Sequence, residues 1–170
     1  LVVSATLENC APQETERFLA VLLAHYQSAK VEDEGAALAL TDTLSYLPLK
    51  LLTQAQLQQV MDFALAQCRS TDPSVQAAAL QFFLRARQTL TAEPLLNDRL
   101  TRLRAENITF PLPSLRYQYA RVQGMAAEDA VKALKPEELS DILLDNLKTA
   151  TPWMIKVVNV ELLARYAACG

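Results

Sequence analysis

The sequence predicts an all-α protein, and three observations carry that expectation. Only 3 of its 170 residues are Gly, and they do not cluster, which argues against hairpins, tight turns and any phosphate-cradling loop. Half of the residues are apolar and about a fifth are charged, the balance of a folded chain and not of a disordered one. Apolar residues recur at helical spacing in segments that repeat at about forty residues, the mark of stacked helical hairpins. The expected architecture is a right-handed α–α superhelix, an α-solenoid, of about four hairpins; a globular multi-helix bundle is the alternative.

The offset of forty can be read directly. "TDPSVQAAAL" (71–80) laid on "VEDEGAALAL" (31–40) matches Asp72 with Glu32, Ala77 with Ala37, Ala79 with Ala39 and Leu80 with Leu40. Moved forward by forty, "PSVQ" (73–76) meets "PSLR" (113–116), and "TPWMIKVVNVELLARY" opens on proline at a similar distance again. These four segments are the second helices, expected over 32–46, 72–88, 113–124 and 152–168.

The first helices are expected over 12–28, 54–69, 92–105 and 136–148. In "QLQQVMDFALAQC", Leu57, Val60, Met61, Ala64, Leu65 and Cys68 form one stripe. Phe18, Leu19, Leu22 and Leu23 repeat it forty-two residues earlier, and Leu139, Ile142, Leu143 and Leu147 eighty-two residues later. The copy at Leu96, Leu100 and Leu103 is weaker, because Arg99 stands where Val60 would sit. Thr71-Asp72-Pro73 and Thr151-Pro152 offer a cap followed by a first-turn proline. Lys135-Pro136-Glu137-Glu138 places acids in a first turn, where the helix dipole favours them. "NITFPLPS" (107–114) reads as an extended connector across its two prolines, and a short helix is expected near 126–134. "LVVSATL" at the start reads as the tail of a preceding second helix. The chain is therefore expected to be a single helical-repeat domain, 1–170, cut from a longer protein.

"AQCRSTDPSVQAAALQFFLRA" resembles the HEAT and armadillo-like helical repeats, whose turn reads Asp-x-x-Val-x-x-Ala-Ala before the second helix. The matching residues are Asp72, Val75, Ala78 and Ala79; the usual Arg after Val is Gln76. The resemblance is close only over 56–90 and covers the rest in outline. It implies stacked helix pairs that bind a partner along the concave side lined by second helices.

No catalytic or cofactor site is expected, and no membrane span. His25 is the single histidine, and Cys10, Cys68 and Cys169 are far apart and form no C-x-x-C, so no zinc set or Ser-His-acid triad assembles. The cysteines read as reduced, which favours an intracellular location. The triplet Asn107-Ile108-Thr109 would accept a glycan only on a secreted chain. The longest apolar run, in "FLAVLLAHY", is well short of the ~18 residues of a span. Glu32, Asp33 and Glu34 read as first-turn acids.

Charge is the more informative pattern. Residues 1–70 carry eight acids and four bases, while 85–121 hold seven of the ten arginines against three acids. Arginine beside tyrosine suits planar acids, phosphates or stacked bases. Arg85, Arg116, Tyr117 and Arg121 are the expected contacts in this belt. Trp153, the only tryptophan, is either a staple of the last hairpin or an exposed anchor. Val157, Val158, Val160, Leu162 and Leu163 crowd more than one side of the final helix, as a face for a further repeat would. The expected function is a non-catalytic scaffold gripping an acidic or phosphorylated protein segment. Nucleic-acid binding through 85–121 is an alternative, opposed by a pI near 5.2 and few lysines. A basic-grooved enzyme such as the helical-repeat DNA glycosylases, or the appendage of a larger enzyme, is another.

Overall fold

A computed structural model describes residues 12–28 and 34–169, so the reading of "LVVSATL", Cys10 and the acids at 32 and 33 lies outside the described residues. Nine helices and no strand occur among those described: α1 Pro12–Ser28, α2 Glu34–Thr43, α3 Gln54–Gln67, α4 Pro73–Thr89, α5 Pro94–Ala105, α6 Pro113–Val122, α7 Ala127–Lys132, α8 Pro136–Leu147 and α9 Trp153–Cys169. Two single 3₁₀ turns, Leu44–Tyr46 and Leu49–Leu51, join α2 to α3. The all-α expectation holds, and the second segment differs from its expected run at one end: α2 stops at Thr43 and tightens into 3₁₀ ahead of Pro48.

Local chemistry explains the boundaries. Pro73, Pro94, Pro113 and Pro136 each begin a helix, where a missing N–H and a fixed φ cost nothing. Asp72 caps α4 by accepting from Ser74 N at 2.8 Å, Glu93 caps α5, and Thr53 and Gln56 exchange bonds across the start of α3. The expected cap at Thr151 takes another form: its hydroxyl donates to the carbonyl of Asp145 at 2.7 Å, tying the α8–α9 turn together.

Like helices pack on like. α1 packs on α3 and α3 on α5; α2 packs on α4 and α4 on α6. This order buries α4 nearly all round, from Ser74 to Leu80 and at Phe82, Phe83 and Ala86. A helix apolar on every side is a core helix. Gln76 is buried and donates to the carbonyl of Cys68 at 3.2 Å, so it locks α4 to the C-terminus of α3. The last hairpin departs from simple stacking. α9 packs on α4 as well as on α6, α7 and α8. Its Ile155 enters the main core, while Val158 and Leu162 join a second cluster with Tyr117, Val131, Leu139 and Ile142.

Candidate functional site

The arginine belt is spent inside the fold. Arg85 donates to the carbonyls of Leu44, at 3.0 Å, and Leu47, bridging α4 to the 3₁₀ turns; burial lowers its pKa from the usual arginine range. Arg87 donates to Val122 O at 3.3 Å and lies over Gly124, where a Cβ would come within 2.6 Å of its Nη2. Gly124 also has φ +96°, a conformation that suits glycine alone. Arg99, buried, spans Asp62 at 2.6 Å and Asp98 at 2.5 Å, and Arg102 pairs with Asp98 at 3.0 Å. The residue that weakened the third stripe is thus a buried ion-pair centre linking α3 and α5. Arg104 forks onto Gln123.

The five expected partner contacts separate accordingly. Arg85 is committed as above. Arg116 donates to the carbonyls of Phe110 and Pro111 and pairs with Glu138, pinning the connector and α8 to α6. Tyr117 is buried, with its hydroxyl donating to Glu161 at 3.0 Å. Arg121 donates to Met125 O at 3.0 Å, and its Nε is buried without a partner among the described residues. Trp153 alone stands out, 63% exposed. Arg85, Tyr117 and Arg121 do not line the cleft that holds Trp153; Tyr117 reaches it only through its bond to Glu161.

What the second helices do share is a cleft of about 240 Å³. Asp42, Ser45 and Tyr46, at the end of α2 and its 3₁₀ turn, form one wall. Ala77 and Gln81 of α4 and Gln118 of α6 line its floor. Trp153, Met154, Val157, Val158 and Glu161 of α9 form the other wall. Its volume is below the ~300–1,000 Å³ of sites for drug-sized ligands, and suits a single long side chain. A second niche of about 310 Å³, beside Arg87, Gln88, Arg121 and Gly124, lies at the C-terminal ends of α4 and α6.

Sequence reasoning missed Asp42, Gln118 and Glu161. Each sits on a helix already assigned, but only the crossing of α9 over α4 faces them toward one space, and no local pattern encodes that crossing. His25 is exposed; no cluster of three or more possible metal ligands occurs among the described residues. No described helix is long and apolar enough to cross a membrane. Cys68 is a buried free thiol, pushed well above its ordinary pKa by burial, and so unreactive. Cys169 is exposed and free. No known protein family, curated protein or solved structure matches this chain.

Two tyrosines give the fold an alkaline limit. Burial, with the Glu161 carboxylate adding to it, pushes Tyr117 up to about 12 against the opposing pull of Arg121 and Arg165. Burial likewise outweighs the hydrogen bond with Thr43 and pushes Tyr26 up to about 12. An unfolded tyrosine loses its proton near 10. The folded state therefore holds these protons more tightly, and their contribution is complete below about pH 10 and lost toward pH 12. The urea midpoint should fall across that window. A Tyr26→Phe/Tyr117→Phe variant, removing both groups, should show a shallower fall; an equal fall would refute the assignment.

Proposed function

We propose that the protein is a non-catalytic α-solenoid scaffold, a protein-interaction module that holds a partner segment along its second-helix face. The observation that carries this reading is the cleft, whose walls and floor come only from α2 with its following turn, α4, α6 and α9. Exposed apolar side chains flank it. Trp153 and Val157, which line it, and Val160 stand exposed on α9. On α9 their spacing puts them on one stripe, the arrangement that marks an interaction surface. The like-on-like packing of the first three hairpins supports the solenoid, and the nucleic-acid alternative is weakened because the belt arginines already have partners in the fold.

Selection of the protein against a displayed random-peptide library tests the reading. One linear motif should emerge, and its affinity should fall at least tenfold in Val157→Lys, about 1.4 kcal/mol, but stay unchanged in Leu147→Asp. Both positions are exposed, so the variants should retain the wild-type circular dichroism. Failure to enrich a motif, or a motif indifferent to Val157→Lys, would refute it.

A further inference from the structure

We infer that the cleft receives a basic side chain, Lys or Arg, of the partner segment, with its aliphatic stem along Trp153 and Val157 and its cationic head between Asp42 and Glu161. The inference rests on the scaffold reading and gives the partner a chemistry opposite to the acidic one expected from the arginine belt.

Three features converge on a donor-rich cation. The first is charge. Asp42 on the α2 wall and Glu161 on the α9 wall are the charged residues of the lining, which holds no Lys or Arg. Neither carboxylate is in an ion pair among the described residues. Glu161 accepts one hydrogen bond, from Tyr117, and so keeps acceptor capacity on both oxygens. Arg121 and Arg165 act on Tyr117, the partner of Glu161, and Lys156 precedes Val157 on α9. Arg121 is held by Met125 O, and none of the three lines the cleft.

The second feature is an orphaned acceptor. Gln118 is only 3% exposed and lies at the floor. Its Nε2 donates to Ala77 O at 3.1 Å and reaches Gln81 Oε1 at 3.5 Å, while its Oε1 has no partner. A buried acceptor left unpaired is destabilising, and a guanidinium or ammonium entering beside it would supply the missing donor. The third feature is the apolar wall. Long basic side chains lay their methylenes on such surfaces while the head stays polar, and an exposed indole adds a cation–π face. A neutral donor could meet the second feature and a plain aliphatic stem the third, but only a cation on a long stem meets all three.

Proton–nitrogen correlation spectra of the whole chain, titrated with small probes, test this without knowledge of the natural partner. The probes are the N-acetyl methylamides of arginine and lysine, with citrulline as the neutral match for arginine. The basic probes should move the Gln118 side-chain amide, the Trp153 indole and the Ser45 amide in the millimolar range. Citrulline should be at least tenfold weaker. Asp42→Asn/Glu161→Gln should bring arginine down to the citrulline level. Equal binding of arginine and citrulline, retention of the preference in the double variant, or shifts confined to the Arg87–Arg121 niche would overturn the inference. If the double variant does not fold, the arginine–citrulline comparison on the unchanged protein decides alone. A selected peptide motif that depends on Val157 but lacks a basic residue would sink this inference and leave the scaffold reading standing. Failure of selection together with specific arginine binding would do the reverse.

Discussion

Phe83→Ala should cost about 3–5 kcal/mol of stability, the range for deleting a buried aromatic side chain. Phe83 and its neighbour Phe82 are both fully buried on α4, ring centroids 5.3 Å apart in an edge-to-face arrangement. α4 packs against α2, α3, α6 and α9 at once, so no single neighbour can relax into the space left behind. For a chain of this length the thermal midpoint should drop by roughly 6–20 °C. Urea denaturation at neutral pH measures it. A loss under about 1 kcal/mol would mean that the centre of the core lies elsewhere.

The second large effect concerns Arg85. Arg85→Ala removes the donor that holds the carbonyls of Leu44 and Leu47. Hydrogen bonds from a charged group contribute about 1.5–3 kcal/mol each. These are only partly buried, so a total near 2–3 kcal/mol is expected. Amide exchange should accelerate first across 44–51, because that stretch has two isolated 3₁₀ turns and no long helix of its own. Arg85→Lys should recover little, since an ammonium cannot fork across two carbonyls as a guanidinium does. If Arg85→Ala instead leaves stability and exchange unchanged while peptide binding disappears, the residue is a partner contact after all.

These two residues also show what could be seen in the sequence. The helix that carries Phe83 was legible: the forty-residue repeat gives it as 72–88, and proline at the first helical position marks the starts of α4, α6 and α8. Both signals lie in the pattern of the sequence itself. The fate of Arg85 was not legible, because its acceptors lie about forty residues earlier. The same holds for Arg99 with Asp62 and for Tyr117 with Glu161. Composition shows that arginines cluster; it carries nothing about which carbonyls and carboxylates the fold will bring to them. The cleft escaped for a related reason. Asp42, Gln118 and Glu161 become neighbours only through the passage of α9 across α4.

That passage also sets a schedule for the chain's birth. Roughly sixty residues separate the end of α4 from the start of α9. At about 5–20 residues per second, a ribosome needs roughly 3–12 s to make them. For that interval the side of α4 that α9 will cover is bare on the nascent chain, far longer than the microseconds to milliseconds in which helical proteins rich in local contacts fold. The nascent chain must be shielded in that interval, or synthesised faster than it can associate, and slowing translation after Thr89 should lower the yield of soluble protein.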